Sequence, residues 1–315
     1  MRLQEKFRIA IRTENYALST ERNYWSWIKQ FIRFHRMQHP EQMTGDDIQS
    51  FLNQLVLRRN VAVNTQQQAL CAIVFLYKNV LGREDIQISD WLHARRTKKL
   101  PVVFSETEAK SVIAHLSGTP MLVAQLMYGS GLRLMESIRL RVKDVDFGRS
   151  EITVREGKGN KDRVTVLPER AVSGLKEHID LSRVLHEKAL QEGVSFVHLP
   201  GALAKKYPNA GKELAWQYIF ASSQLSRDPR SGNIGRHHIN ERSIQKAVKT
   251  AITKAGIHKH ASCHTFRHNF ATHLLESGYD IRTVQELLGH ANVNTTMIYT
   301  HVLNRGGRGV KSPVD

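Results

Sequence analysis

Six polar side chains stand in order along the last two thirds of the sequence: Arg133, Lys158, His264, Arg267, His290 and Tyr299. An arginine fork donates two parallel hydrogen bonds to phosphate oxygens and stays charged. A tyrosine oxygen can attack phosphorus and store the bond as a phosphotyrosine ester. A lysine can protonate the hydroxyl that leaves. These are the residue types needed to transfer a phosphoryl group without a metal ion.

Each of these residues alone has an ordinary structural explanation, so the prediction depends on their combination. An arginine at a helix start is usually a surface residue, a histidine at a helix end is often a cap, and a helical tyrosine usually packs. The motif HTFRH places His264 and His268 four residues apart, but the glutamate of HExxH is absent and no third zinc ligand is evident. No GxxxxGK[ST] or strand-borne GxGxxG motif occurs. We therefore predict no metal and no cofactor.

The charge balance predicts a polyanionic partner. The chain has 46 lysines and arginines against 29 acidic residues, a formal net charge of +17. A surplus of this size favours DNA, RNA or an acidic membrane surface, while a solubilising basic surface is the alternative explanation.

Cys71 and Cys263 cannot form a disulfide framework or a paired zinc motif. No stretch approaches the ~20 apolar residues of a membrane span, and the N-terminus resembles no signal peptide, so we expect a soluble, cytoplasmic protein.

The elements that must position these residues divide into two blocks. Residues 1–88 predict a four-helix domain, with helices over 3–14, from Ser19 or Thr20 to about 35, from Thr44 to about 57, and from Asn64 or Thr65 onward. Cys71 lies in the apolar run of the last helix and is predicted to be a core residue. Residues 89–101 form a basic linker that could lie along phosphates or simply be a solvated charge run. Its basic residues are Arg95, Arg96, Lys98 and Lys99.

Residues 102–315 predict a mixed domain, so the fold class is mainly α with a small β-sheet. Ser105 is a candidate helix cap, and helices are expected over 120–128 and 168–192. EITVR (151–155) and RVTVL (163–167) alternate like two strands, and the turn between them carries Lys158 and Lys161. Residues 193–240 read as irregular apart from a helical piece near 202–206. Four further helices are predicted over 244–255, 266–277, 281–288 and 295–302.

Three blocks, YGSGLRLMESIRLRVKDVDF, GKGNKDRVTVLP and CHTFRHNFATHLLESGYDIRTVQELLGHANVNTTMIYTHV, resemble the tyrosine recombinases, or phage-integrase family. The resemblance implies an N-terminal SAM-like core-binding domain that clamps DNA together with a catalytic domain. It also implies that the six residues above are catalytic, with Lys158 rather than Lys161 as the general acid. Such enzymes work as tetramers on DNA and exchange their C-terminal tails. Here the tail would be about 303–315. The glycines at 306, 307 and 309 would make it flexible, and Val310 is the candidate apolar side chain that docks on the neighbour.

The segment 193–240 resembles the insert of integron integrases, in LPxAL, KYPNA, DPRSG and RHHxN. That resemblance implies recombination of gene-cassette attC sites, read as folded single-strand hairpins, with double-stranded attI sites. Bases outside a hairpin stem can stack on rings. Candidate rings are Trp216, Pro229, His237 and His238, and candidate phosphate contacts are Lys205 and Lys206. Alternatively, Trp216, Tyr218 and Phe220 form a small core strand, with the histidines on the surface.

Three other functions stay open at this point. The chain could be a phage or transposon integrase or a chromosome-dimer resolvase that acts on double-stranded sites. It could be a DNA-binding protein that keeps the fold without catalysis. A type IB topoisomerase with the same chemistry is a weaker alternative.

Overall fold

The computed structural model describes residues 1–84, 86–88, 90–94, 101–155, 162–199, 203–302 and 314. The chain divides into two compact units, Met1–Lys99 and Leu100–Asp315. In the described part of the chain, no helix combines the length and the apolar character that crossing a membrane would require.

The N-terminal unit is helical, as predicted. Its helices are α1 (Leu3–Thr13), α2 (Leu18–Phe34), α3 (Gly45–Leu57) and α4 (Val63–Phe75), and the last continues as a π-helical turn, Leu76–Val80. Thr44 caps α3 with a capping box that includes Asp47, which confirms this predicted helix start. The apolar stripe of α2 buries Trp27, Ile28 and Phe31. These side chains pack the unit's core together with apolar residues from α3 and α4.

The prediction for Cys71 is wrong, because this side chain is exposed. The buried residues of α4 are Gln66, Ala69, Ala72, Ile73 and Phe75. Position 71 lies off this stripe, on the solvent side of the helix. An apolar run in the sequence therefore did not identify the buried face of α4.

The C-terminal unit is built around helix α6. Its helices are α5 (Glu106–Ala114), α6 (Gly118–Ser130), α7 (Leu134–Ile138), α8 (Glu169–Gln191), α9 (Leu203–Lys206), α10 (Glu241–Lys254), α11 (Cys263–Glu276) and α12 (Ile281–Leu288). Ser105 caps α5, as predicted. The apolar α6 buries Leu122, Val123, Leu126 and Met127 in a core shared with α5, α8, α10 and the start of α11.

A three-stranded antiparallel sheet flanks this core in the order β1-β2-β3. Its strands are β1 (Val145–Asp146), β2 (Glu151–Val154) and β3 (Arg163–Val166). The β2–β3 hairpin is confirmed, with Glu151 opposite Val166 and Val154 opposite Arg163. Its turn, with Lys158 and Lys161, lies outside the described residues.

Two predictions about the segments 193–240 and 295–302 are wrong. The segment 193–240 is not irregular throughout, because β4 (Ala221–Arg227) and β5 (Ile234–His238) form an antiparallel hairpin. The strand sequence ASSQLSR has few β-branched or aromatic residues, so its pattern gave no strand signal. The segment 295–302 is not an α-helix but two 3₁₀ segments, Val293–Thr295 and Met297–Val302. Trp216 lies in another 3₁₀ segment, Leu214–Trp216, rather than in a core strand.

Candidate active site

Arg267 lies at the centre of the candidate site, on the first turns of α11, and its side chain is almost fully buried. Its guanidinium donates to the carbonyl oxygens of Gly131 and Leu288, the latter at 2.6 Å. These carbonyls lie at the C-terminal ends of α6 and α12, where unpaired acceptors favour a cation. Burial, followed by the charge of Arg133, lowers the pKa of Arg267 to about 9, so the group stays charged at pH 7.

Glu136 connects three arginines on three different elements. Its carboxylate lies 2.5 Å from Arg133 Nη1, 2.7 Å from Arg163 Nη2 and 3.7 Å from Arg267 Nη1. Burial opposes ionisation of this carboxyl, but the hydrogen bond and charge of Arg163 outweigh it and hold its pKa at about 2. Arg133 is the N-cap residue of α7, and its backbone N–H donates to Glu136 at 2.9 Å. The carboxylate therefore fixes the two arginines predicted to hold phosphate.

Replacing Glu136 with glutamine is expected to lower the free energy of unfolding at pH 7 by roughly 3 kcal/mol, because buried guanidinium groups lose their counter-charge. The folded pKa of about 2 lies below the ordinary 4.5. The carboxylate therefore stabilises the fold fully above pH ~4.5, and this contribution disappears as the pH falls towards 2. Urea unfolding of both proteins between pH 7 and 3 checks this. The exposed Glu187→Gln is the control, and a difference that did not shrink with falling pH would contradict the role of the charge.

Arg163 joins strand β3 to the end of α12. Besides its contact with Glu136, its Nε donates to the carbonyl oxygen of Leu287 at 2.9 Å. Gly289 follows α12 with φ of 64°, and a Cβ at this position would lie 2.6 Å from Arg163 Cδ. A glycine is required here both for the left-handed backbone and for the close approach of the arginine.

Gly289→Ala is expected to destabilise the protein by about 1 kcal/mol more than Gly256→Ala, as overpacking against a fixed side chain typically costs 1–3 kcal/mol. Gly256 has nearly the same φ, 68°, but open space around its Cβ position. The pair therefore separates the cost of backbone strain from the cost of displacing Arg163. Thermal unfolding of both variants is the measurement. Equal losses would show that Arg163 moves aside freely.

His290 follows Gly289 and contacts the central arginine. Its Nε2 lies 3.3 Å from Arg267 Nη2, and its Nδ1 lies 2.9 Å from the hydroxyl of the buried Thr296. The side chain of Gln285 donates to the His290 carbonyl at 2.9 Å. The imidazole is therefore oriented by the C-terminal segment that also carries Tyr299.

Tyr299 is buried in a small apolar cluster with Phe270, Leu275 and Leu288. Its hydroxyl lies 2.7 Å from Nδ1 of His268. Burial raises the pKa of Tyr299, while Arg267 and Arg133 act against the shift. His264 reaches the surface at the start of α11, and partial burial, then Arg267 and Arg133, lowers its pKa. The two guanidinium groups are therefore close enough to influence both side chains.

The structure gathers five of the six predicted catalytic residues: Arg133, His264, Arg267, His290 and Tyr299. The sixth, Lys158, and the candidate DNA contacts Lys161, Arg95, Arg96, Lys98 and Lys99 lie outside the described residues. Sequence reasoning missed Glu136 and Arg163, and it considered His268 only as a zinc ligand. A carboxylate three residues after Arg133 was the available signal for Glu136, since i, i+3 positions face each other on a helix.

The residues predicted to bind extrahelical bases form a separate cluster. Trp216 is buried, with the ammonium of Lys143 over its ring and Tyr207 packed 5.2 Å away. His238 is buried as well, 3.5 Å from Arg139 Nε. The burial of Trp216 agrees with the alternative that it packs in a core, although not in a strand.

His237 is half-buried and forms the more accessible part of this cluster. Its ring packs 5.4 Å from Tyr218 and 4.0 Å from His238. Burial, followed by His198 and Arg139, lowers the pKa of His237, so the ring is neutral at pH 7. Pro229 is exposed in the β4–β5 turn, and Lys205 and Lys206 are exposed on α9.

The five gathered residues can perform one kind of chemistry together. Arg133 and Arg267 lie near Tyr299, and His264 and His290 lie near these arginines. Together they supply donors for the oxygens of a phosphodiester. Among the described residues, no group of three or more metal-ligating side chains lies close together.

Both units of this chain match known protein families. Residues 103–305 match the profile of the Phage integrase family, and residues 3–87 match that of the Phage integrase, N-terminal SAM-like domain. The chain is 46% identical over 315 residues to an integrase/recombinase of Escherichia coli, covering 100% of this chain and 94% of that protein. A tyrosine recombinase XerC of Halalkalibacterium halodurans is 34% identical over 257 residues, covering 79% of this chain and 74% of that protein.

Solved structures show the same fold at low sequence identity. A lambda integrase dimer bound to a COC′ core site has a TM-score of 0.61 at 15% identity, covering 99% of this chain and 98% of that one. XerH site-specific recombinase, bound to a palindromic difH substrate, has a TM-score of 0.60 at 19% identity, covering 95% of this chain and 81% of that one.

Proposed function

We propose that this chain, which belongs to the phage integrase family and is a tyrosine site-specific recombinase, is an integron integrase. In this proposal it inserts and excises gene cassettes by recombining attC sites, folded as single-strand hairpins, with double-stranded attI sites. The chemistry is supported by the proximity of Arg133 and Arg267 to Tyr299, with His264 and His290 near these arginines. The insert with its half-buried ring at His237 supports the choice of substrate.

In the first step, the Tyr299 oxygen bonds to phosphorus and the bond to the 5′ oxygen breaks. The product is a 3′-phosphotyrosine and a free 5′ hydroxyl. Arg133, Arg267, His264 and His290 hold the non-bridging oxygens, whose negative charge increases in the transition state. Lys158 protonates the leaving 5′ oxygen.

In the second step, the free 5′ hydroxyl of the partner strand attacks the phosphotyrosine and releases the tyrosine. The number of phosphoester bonds is the same before and after, so the reaction needs no ATP. Two reciprocal exchanges join one strand of each site and give a junction, and four protomers carry them out in the proposed tetramer. We assign the tail from about 303 to 315 to docking on a neighbouring protomer.

Selection of the hairpin is assigned to the insert. A base that projects from a stem is recognised by stacking, at about 1–3 kcal/mol per base. Of the candidate rings, Trp216 and His238 are buried and Pro229 is exposed in the β4–β5 turn, so we place the base at the half-buried His237. Lys205, Lys206 and Lys161, together with the linker residues Arg95, Arg96, Lys98 and Lys99, are assigned to phosphates. Such contacts give salt-dependent affinity without sequence information.

The two separated strands of one cassette site test the choice of substrate. We expect the enzyme to bind one folded strand at least tenfold more tightly than its complement or the linear duplex. In the His237→Ala variant this preference should fall by roughly the value of one stacked base, about 5- to 150-fold. The exposed His258→Ala is the control.

Equal binding of both strands, with a preference for duplex, would instead indicate a recombinase that acts on double-stranded sites. The 34% identity to a tyrosine recombinase XerC supports that second candidate. We also propose that the enzyme acts in the cytoplasm, because its substrate is DNA.

A further inference from the structure

His268 contacts the oxygen that the proposed function makes the nucleophile. Its Nδ1 lies 2.7 Å from the Tyr299 hydroxyl, with the two ring planes inclined at 48°. His268 follows Arg267 directly on α11, so the helix that presents the central guanidinium also presents this imidazole. The proposed mechanism gives it no role.

A phenol that attacks phosphorus must lose its proton, and burial raises the pKa of Tyr299. A buried phenol is therefore a weak nucleophile unless a base stands beside it. Burial, followed by the charges of His264 and Arg267, lowers the pKa of His268 to about 4. At pH 7 this imidazole is neutral, and with its hydrogen on Nε2 it presents a lone pair at Nδ1 to the hydroxyl.

The other two histidines of the site are less suited to this task. His290 faces Arg267 with Nε2 and Thr296 with Nδ1, and the proposed function already assigns this imidazole to a phosphate oxygen. His264 lies one helical turn before His268, at the exposed start of α11. The hydrogen bond at Tyr299 thus connects the phenol to His268.

We propose that His268 is the general base of the cleavage step, an inference that rests on the proposed function. As the Tyr299 oxygen bonds to phosphorus, the phenolic proton passes to His268 Nδ1. The bond from phosphorus to the 5′ oxygen breaks, and that oxygen takes a proton from Lys158. In the rejoining step, Lys158 receives the proton of the attacking 5′ hydroxyl, and His268 returns its proton to the departing phenolate.

The positive charges around His268 keep it a weak base until DNA binds. Arg267 and His264, on the same helix, oppose its protonation, and Arg133 adds positive charge near Tyr299. A bound phosphodiester brings one negative charge into this group. It raises the pKa of His268 towards neutrality, where a general base works best.

The test is single-turnover cleavage of a nicked cassette hairpin in which sulfur replaces the bridging 5′ oxygen. A thiolate leaves without a proton, so this substrate removes the need for Lys158 and isolates the fate of the phenolic proton. In His268→Asn, the amide oxygen can accept the hydrogen bond but cannot accept the proton. The matched control is His273→Asn on the same helix, where the histidine contacts Tyr128 and the carbonyl of Phe104 instead.

We expect H268N to cleave the sulfur-containing hairpin at least ~100-fold more slowly than the wild type. Its rate should rise about tenfold per pH unit between pH 6 and 9, because hydroxide then takes the proton. The wild type and H273N should be nearly independent of pH, and Lys158→Ala should regain most of its rate on this substrate. In His268→Ala, added imidazole should restore cleavage, a readout that remains available if H268N folds poorly.

If H268N cleaved the hairpin at the wild-type rate or faster, the proposal would be overturned, because His268 would then only hold the tyrosine. A uniform loss with an unchanged pH profile and no rescue by imidazole would also overturn it, as would the steep pH dependence appearing in His264→Asn instead. If the wild-type protein formed no covalent product on any strand, the proposed function itself would fail. That result is distinguishable from the outcomes above, in which the wild-type protein still forms the covalent product and only the role of His268 fails.

Discussion

Tyr299→Phe is expected to abolish covalent capture of DNA while leaving DNA affinity within about twofold of the wild type. The substitution removes the attacking oxygen and little else, because the ring remains packed in its apolar cluster. Loss of a nucleophile of this kind lowers the rate by on the order of 10⁴ or more. The lost hydrogen bond to His268 should cost stability by only about 1 kcal/mol.

The measurement uses a hairpin nicked beside the cleavage position, so that the cleaved fragment diffuses away and the covalent complex accumulates. Denaturing electrophoresis then separates protein–DNA adducts from free DNA. The control is Tyr279→Phe, which changes an exposed tyrosine and should leave the adduct intact. An adduct that persisted in Tyr299→Phe would exclude this residue as the nucleophile.

Arg267→Lys is expected to slow cleavage by about 10²- to 10³-fold and to destabilise the fold as well. Arg267 donates to two helix-terminal carbonyls through one nitrogen each, and Glu136 lies 3.7 Å from its Nη1. A lysine is a point charge without a planar fork, so it cannot reach both carbonyls and a phosphate oxygen together. Removing one preorganised donor from a transition state costs about 3–4 kcal/mol.

Two readouts separate catalysis from folding in this variant. Urea unfolding gives the stability loss, and single-turnover cleavage under conditions where the variant is fully folded gives the catalytic loss. Arg282→Lys, at an exposed position on α12, serves as the control. A stability loss with unchanged cleavage by the folded protein would make Arg267 a purely structural residue.

Local signals in the sequence predicted much of the helical fold. Thr44 and Ser105 begin helices because each starts a capping box with an acidic residue three positions later. The stripe of α2 predicted its buried face because apolar residues recur every three or four positions. The exposed Cys71 shows the limit, since an apolar run without clear periodicity does not show which side faces inward.

The proposed catalytic set could be named from the sequence because its residue types are chemically rare in combination and their order resembles a known family. The residues that hold this set in place were not. Glu136 and Arg163 are 27 positions apart and meet only after the β-sheet and α7 have packed. The partnership of His268 with Tyr299 likewise depends on how the C-terminal segment folds back onto α11. Nothing in the linear pattern distinguishes such contacts from ordinary surface charges and core histidines.

Identifying the modified residue by mass spectrometry tests the central claim most directly. Trypsin cleaves after Arg282 and Arg305, which gives a peptide whose single tyrosine is Tyr299. After cleavage of the nicked hairpin and nuclease digestion, this peptide should carry a 3′-phosphonucleotide on Tyr299. The same mass on the peptide that contains Tyr279, or an adduct on any other side chain, would contradict the account.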